Sequence, residues 1–312
     1  MSKVHRLGHN RCMSHTPVVD LSTPILTYNP QPAAPTLRLP ANACDSHVHV
    51  FGPGARFPYA ATRGFTPVDA PKEALFALHR TLGIGRCVIV QSLVHGLDNR
   101  VVEDAIAAGG GRYLGVALVP ANVADGELAR LAAAGMRGVR FNFVKHLAQA
   151  TDPGAIIDLT HRLKPLGMHL QVHFEPSLVH TLAAPLSRSA VPVVVDHMGR
   201  VDATLGADHA DFAALMEMLR NPLFRVKVSG IDRVDAFSVP QPTYSHGIAL
   251  ARLLVQTFPD QCLWGTDWPH PNHTHVPDDA TLVNALAQIA PTPELLHKLL
   301  VANPETFYRF SA

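Results

Sequence analysis

Eight short runs rich in β-branched and apolar residues punctuate this chain, at 43–50, 86–91, 113–119, 138–143, 169–175, 191–197, 224–230 and 262–267. Their regular recurrence constrains the fold more than any single motif does. Most are apolar almost throughout, as strands covered on both faces should be, and that is the mark of a parallel sheet with helices packed on it. Segments of helical periodicity fall between them, at 71–82, 99–108, 125–134, 153–166, 177–186, 210–219 and 244–258. Gly83, Gly109, Gly135 and Gly167 follow four of these segments closely, where a left-handed C-terminal cap is wanted. Strands alternating with helices over about 250 residues predict an α/β chain folded as a (β/α)8 TIM barrel. A doubly wound open sheet is the rival, but no strand is followed by a Gly-rich phosphate loop. Residues 1–40 are aperiodic and rich in Pro, Thr and Asn (Pro30, Pro32, Pro35, Pro40). They predict an extended N-terminal arm laid on a surface, with the barrel spanning 41–312.

Bulk chemistry narrows the function classes. With 47% hydrophobic and 16% charged residues among 312, the chain reads as a compact enzyme, and a formal net charge of +1 gives no reason to invoke nucleic acid or a membrane surface. Cys12, Cys44, Cys87 and Cys262 are far apart and read as buried reduced thiols instead of a disulfide frame or zinc ribbon. No apolar run is long enough to span a bilayer. Lys3, Arg6, His9 and Arg11 precede no apolar stretch, so no secretory signal is read and the cytoplasm is the expected compartment. The pattern does not fix the oligomeric state; a homodimer is compatible with it.

In a TIM barrel the active groups sit at the C-terminal ends of the strands. The first strand supplies His47 and His49, two apart and therefore on one face of a regular strand. The fourth supplies Arg140 and Asn142, and the fifth Gln171, His173 and Glu175. Asp196 and His197 end the sixth, the seventh ends in the run Lys227 to Arg233, and Asp267 ends the eighth. Polar groups in a barrel mouth are costly unless paired or ligated. His47, His49, His173 and Asp267 together offer N3O ligation for one Zn2+ or Mn2+ with room for water. A divalent ion so held lowers the pKa of bound water to roughly 7. His197 is either a further ligand or the group that orients a substrate carbonyl. Blander roles stand beside these: core histidines satisfied by backbone at 47 and 49, a substrate hydrogen bond from His173, and a carboxylate capping the Trp268-Pro269-His270 turn at Asp267.

Five segments carry a family resemblance: Asp45-Ser-His-Val-His-Val-Phe-Gly-Pro53, Val90-Gln-Ser-Leu-Val-His-Gly-Leu-Asp-Asn99, Gly135-Met-Arg-Gly-Val-Arg-Phe-Asn-Phe143, Asp196-His-Met-Gly-Arg200 and Trp264-Gly-Thr-Asp-Trp-Pro-His-Pro-Asn272. In combination they resemble the 2-pyrone-4,6-dicarboxylate lactonases of the amidohydrolase superfamily, from about residue 28 to the Asn303-Pro304 segment. The resemblance implies hydrolysis of a lactone bearing acidic substituents, with Asp267 activating water and arginines holding the carboxylates. It also shows two departures. Those lactonases carry a tyrosine on the fifth strand where this chain has His173, and an arginine after the fourth where His146 follows Lys145. That family works without metal. The histidine here restores the first-, fifth- and eighth-strand ligand set of the wider superfamily and implies 4-sulfomuconolactone hydrolase and other muconolactone-type hydrolases as closer functional relatives. With no lysine inside the fourth strand to bridge two ions, one divalent metal, Zn2+ or Mn2+, is expected.

Arginines point to the substrate independently, because a guanidinium binds carboxylate or sulfonate bidentately. Arg140, Arg200 and Arg233 stand at the ends of the fourth, sixth and seventh strands. The alternative for the last two is surface pairing with Asp202 and Asp232, worth little energetically. Asn142, His146 and Asn99 are further substrate-binding candidates, Arg56, Tyr59 and His95 secondary ones on early loops, and His273 and His275 belong to the rim. The expected reaction is attack on a lactone carbonyl of a carboxylated or sulfonated aromatic-degradation intermediate, with Asp267 as base and then acid, and His197 or an arginine stabilising the oxyanion. Two other activities remain open: a metal-dependent decarboxylase of an aromatic or muconate-type acid, and a metal-free pyrone-dicarboxylate lactonase. A non-catalytic anion-binding barrel is a third reading with poor support.

Overall fold

The computed structural model describes residues 21–144, 152–235, 243–272 and 275–310. Its sheet has eight parallel strands in chain order: β1 (Cys44–Val48), β2 (Arg86–Val90), β3 (Tyr113–Leu118), β4 (Met136–Phe143), β5 (His169–Phe174), β6 (Val193–Val195), β7 (Phe224–Lys227) and β8 (Cys262–Leu263). Helices α1 (Lys72–Leu82), α2 (Arg100–Ala108), α3 (Asp125–Ala133), α4 (Pro153–Leu163), α5 (Val179–Leu186) and α6 (Ala210–Leu219) lie between successive strands, with α7 (Ile231–Val234) and α8 (Ser245–Thr257) between β7 and β8. This is a TIM barrel. Its core has two parts. Cys44, Val88, Val90, Leu114, Val116, Val194, Leu263 and Tyr308 form one buried cluster, and a larger one joins strands to helices. Cys44, Cys87 and Cys262 are free and buried; Cys12 lies outside the described residues.

Among the described residues no ladder joins β8 to β1. The barrel closes instead through Ser46 N–H to Trp264 O (2.8 Å), Asp267 N–H to His47 O (2.8 Å) and His49 N–H to Trp268 O (2.6 Å). The buried Asp45 carboxylate staples this seam. It accepts from His47 N (3.1 Å), Thr266 N (3.1 Å) and Thr266 Oγ1 (2.6 Å). A Cβ on Gly265 would come within 2.6 Å of His47 N, so only glycine lets the two segments approach this closely. The register of β1 on β2 shifts between Asp45 and Val48, the kind of irregularity that re-aims side chains at a barrel rim.

The sequence expectation needs three corrections. The sixth and eighth strands end before their functional residues, because the backbone turns out of the ladder there, while β7 ends at Lys227 and leaves Arg233 to α7. His197, Met198, Gly199 and Arg200 have φ of 49°, 52°, 64° and 57°, and Asp267 has φ 66°. Gly109 is right-handed (φ −81°); its value is space, since a Cβ would lie 2.6 Å from the Tyr113 side chain. Third, α9 (Asp279–Ile289), α10 (Pro293–His297) and α11 (Asn303–Tyr308) were not expected. Six apolar residues of α9 are buried (Ala280, Leu282, Val283, Ala285, Leu286, Ile289), while Thr281, Ala287 and Gln288 are exposed on the opposite face. Residues 21–40 run irregularly and engage α9: Asn29 Nδ2 donates to Asp278 Oδ2 (3.1 Å), while the Thr36 and Leu37 amides donate to Asn284 Oδ1 (2.8 and 3.0 Å). No described helix is long and apolar enough to cross a membrane.

Candidate active site

Below the barrel mouth an apolar interior gives way to buried charge. In the β4–β5 register Arg140 faces Gln171 and Asn142 faces His173, so each pair forms one level of side chains. At the lower level Asp196 Oδ2 accepts from Arg140 Nε (2.8 Å) and Gln171 Nε2 (3.1 Å). Lys227 Nζ donates to Gln171 Oε1 (2.8 Å), lies 3.1 Å from His47 Nδ1, and is 3.6 Å from Asp196 Oδ1. Burying an ammonium is tolerable only with such partners. Burial still draws the Lys227 pKa down to about 8 against the opposing pull of Asp196. For Asp196, burial opposes ionisation, but His47, Arg140 and Lys227 outweigh it and hold the carboxyl well below its usual range.

Above this level Asp267 Oδ1 is the meeting point. It lies 3.3 Å from His49 Nε2, 3.6 Å from His47 Nε2 and 3.8 Å from His197 Nε2. Asp267 Oδ2 accepts from Arg233 Nε, and Arg233 Nη2 donates to Pro271 O (2.8 Å). Burial again opposes ionisation, and the Arg233 guanidinium, then His197, keep the Asp267 carboxyl well below the usual carboxylate range. His49 is oriented by a 2.7 Å contact of Nδ1 with Val90 O; a carbonyl only accepts, so Nδ1 is the donor and Nε2 is the nitrogen turned to Asp267. Burial draws His47 well below the usual imidazole range, with Lys227 adding to it, and brings His197 down to about 3. Both rings are neutral at ordinary pH.

Ligand atoms of His47, His49 and Asp267 all lie within 4.8 Å of one another. His47 Nε2 and Asp267 Oδ1 are buried without any hydrogen-bond partner, a costly state for polar atoms. Two imidazoles and a carboxylate fit a borderline divalent ion such as Zn2+ or Mn2+. A second grouping, His47, Asp196 and His197, already has the Lys227 ammonium against two of its members. His173 belongs to neither grouping. Its Nδ1 is 3.1 Å from Asn142 Oδ1 and its Nε2 takes a 3.4 Å contact from Arg200 Nη1.

A cavity of about 310 Å³ opens over these groups. Its wall includes His49, Asn142, His173 and His197, together with Arg140, Arg200 and Arg233 and, among the described residues, one carboxylate, Asp267. Arg233 is thus paired with Asp267, not left at the surface with Asp232, while Asp202 caps Thr204. Ser92, Leu93, Val94 and Phe65 supply its apolar side. Other candidates lie elsewhere. Asn99 is consumed structurally: Nδ2 donates to Leu118 O (2.9 Å) and Oδ1 accepts from Leu118 N (2.9 Å). His95 braces loops through Pro58 O and Gly52 N, Tyr59 binds Asp69, and Arg56 pairs with Asp104 at the surface. His275 contacts Tyr244 Oη at 3.1 Å. His146, Lys145 and His273 lie outside the described residues. Sequence reasoning noted Asp196, Gln171 and Lys227 as strand-end residues but gave them no role in the site; the β4–β5 register and the inward direction of β7 bring them under His47.

The fold and this cavity define the chain as a member of the amidohydrolase family, whose model matches residues 44–310. Among curated proteins it is similar to 2-pyrone-4,6-dicarboxylate hydrolase of Comamonas testosteroni, with 44% identity covering 91% of this chain and 95% of that one. It is also similar to 4-sulfomuconolactone hydrolase of Hydrogenophaga intermedia, with 37% identity covering 86% and 89%. Among solved structures, a probable 2-pyrone-4,6-dicarboxylic acid hydrolase of Acinetobacter baumannii with citric acid bound superposes with a TM-score of 0.77 at 25% identity, covering 86% of this chain and 100% of that one.

Proposed function

We propose that the chain is a lactone hydrolase acting on a small ring that carries carboxylate or sulfonate groups, in the breakdown of aromatic compounds. The observation that carries this reading is the cavity wall itself, which Arg140, Arg200 and Arg233 line together with Asp267, the one carboxylate among the described lining residues, and the neutral imidazole of His197. The named activities of the relatives support the same class. Residues 41–312 are taken as the catalytic unit, and the cytoplasm as its compartment.

Asp267 lines the cavity, and its Oδ2 is held by Arg233 while Oδ1 is left without a hydrogen-bond partner. Oδ1 takes a proton from the attacking water and returns it to the ring oxygen as the acyl–oxygen bond breaks. A carboxylate held well below its usual pKa is a weak base, so the water must be polarised by something else. His47, His49 and Asp267 would hold a divalent cation, which when bound supplies Lewis-acid polarisation at neutral pH. His197 has Nδ1 2.9 Å from Ser229 Oγ. When Ser229 donates to that nitrogen, Nε2–H is directed to the developing oxyanion. The arginines fix the acidic substituents so that the carbonyl meets the water at the right distance.

The test is ring opening of 2-pyrone-4,6-dicarboxylate and 4-sulfomuconolactone, followed by loss of lactone absorbance and by acid release. Elemental analysis of protein purified without added metal, with activity before and after chelation, accompanies it. Turnover of neither lactone, or release of CO2 in place of acid, refutes the hydrolase reading. Full activity with no bound metal returns the mechanism to Asp267 and the imidazoles alone.

A further inference from the structure

His47 Nδ1 has two neighbours whose demands conflict. Lys227 Nζ lies 3.1 Å from it and Asp196 Oδ1 3.2 Å. An ammonium only donates and a carboxylate only accepts, while a neutral imidazole has one ring proton to place. Accepting from Lys227 puts that proton on Nε2. Donating to Asp196 puts it on Nδ1 and frees the Nε2 lone pair. Only the second form lets His47 ligate a cation, which is why metal-bound histidines commonly donate their other N–H to a carboxylate.

The geometry here favours Lys227. Its contact with Nδ1 meets hydrogen-bond criteria, whereas Asp196 Oδ1 is buried with no hydrogen-bond partner although Oδ2 has two. Lys227, His47 and Gln171 are all fully buried, so water cannot relieve the conflict. On the other side of the ring, His47 Nε2 faces Asp267 Oδ1 at 3.6 Å.

We propose that Lys227 and Asp196 are opposed positioning residues that set the tautomer of His47 and, through it, the affinity of the site for a divalent cation. The inference rests on reading His47, His49 and Asp267 as the cation-holding group. Without a cation, Lys227 holds His47 as the Nε2–H form, a hydrogen-bond donor aimed at Asp267. Cation binding requires the ring proton to move from Nε2 to Nδ1, where Asp196 accepts it, and the ammonium to give up that contact and keep Gln171 and Asp196. No proton enters or leaves the protein in this exchange. Lys227 therefore works against metal occupancy, and Asp196 works for it.

Two measurements on the full chain test this. In metal-free protein with 15N-labelled histidine, long-range 1H–15N correlation spectra report the tautomer, with His47 assigned by its loss in His47→Gln. The expected result is Nε2–H without metal and Nδ1–H after Zn2+ is added. Zn2+ titration against a competing chelator then compares wild type with Lys227→Met and Asp196→Asn. Lys227→Met is expected to tighten Zn2+ binding about 10- to 100-fold, and Asp196→Asn to weaken it by a similar factor. An Nδ1–H tautomer already present in metal-free wild type overturns the proposal, as does a folded Lys227→Met protein whose affinity is unchanged or weaker. If Lys227→Met does not fold, the wild-type tautomer decides. If neither wild type nor Lys227→Met takes up Zn2+, the cation-holding reading fails, while the tautomer still separately decides whether Lys227 controls His47.

Discussion

Replacing Asp267 by asparagine isolates the chemistry of one oxygen. Three imidazole nitrogens lie within 3.8 Å of Oδ1, while Arg233 takes Oδ2. Asparagine keeps the shape but can neither accept water's proton nor stay anionic beside Arg233. Loss of a general base costs about 10²- to 10⁴-fold in rate, or about 3 to 5 kcal/mol of barrier. Substrate binding should move the other way. Asp267 is the only carboxylate among the described lining residues, and its removal leaves Arg233 unpaired, so an anionic ligand meets a more positive cavity. The expected signature is a kcat lowered at least a hundredfold with the affinity for a non-reacting dicarboxylate unchanged or tighter. Stopped-flow absorbance gives the first quantity and titration calorimetry the second. A variant retaining more than a tenth of wild-type kcat, or one that binds dicarboxylates markedly more weakly, would refute Asp267 as the proton acceptor.

Other outcomes follow from the same geometry. Arg200→Lys removes a planar fork that a point charge does not replace, so KM for a dicarboxylate lactone should rise about tenfold or more with a smaller change in kcat; an unchanged KM places the anion elsewhere. Gly138→Ala would set a Cβ 2.5 Å from the buried His169 ring, and overpacking of this kind costs about 1–3 kcal/mol in denaturant unfolding. Burial brings His169 and His197 down to about 3. Between that value and the unfolded value of about 6.5, the unfolded chain binds the extra protons, so stability is present above pH 6.5 and falls as pH drops, by up to about 1.4 kcal/mol per unit for each ring. Asp196 and Asp267, whose folded pKa values are depressed, lose their contributions further down, below the unfolded carboxylate value near pH 4. Urea midpoints that stay flat from pH 7 to 4 would contradict the two histidine assignments.

The barrel was legible because burial on both faces writes itself as apolar runs such as Cys87 to Val90, and the helices between strands because one face of each is exposed. Of the closing helices, α10 and α11 were not legible because they span only five and six residues, less than the window in which a helical period shows. At the site, residue type at a strand end indicated which side chains reach the mouth, but not whether their polar atoms are free. Asn99 resembles a ligand in sequence, yet its amide is spent on Leu118. Asp196 and Lys227 stand out in sequence only as polar residues at strand ends. Their meeting under His47 depends on three strands aligning across the barrel, a relation that no local pattern records. His173 matches a ligand by strand and position, but the structure turns it to Asn142 and Arg200.

The seam between the first and last strands has a consequence for how the protein comes into being. Asp45 and Thr266 are 221 positions apart, and contacts of such separation form late because loop closure must precede them. During synthesis the N-terminal half emerges first, so His47 and His49 wait for Trp264 to Trp268 before either meets Asp267. A nascent chain that has built seven strands holds most of the scaffold and the imidazoles and arginines, but not Asp267. Appearance of activity therefore marks the moment at which the barrel ends meet, and turnover itself can serve as the clock for the last step of folding.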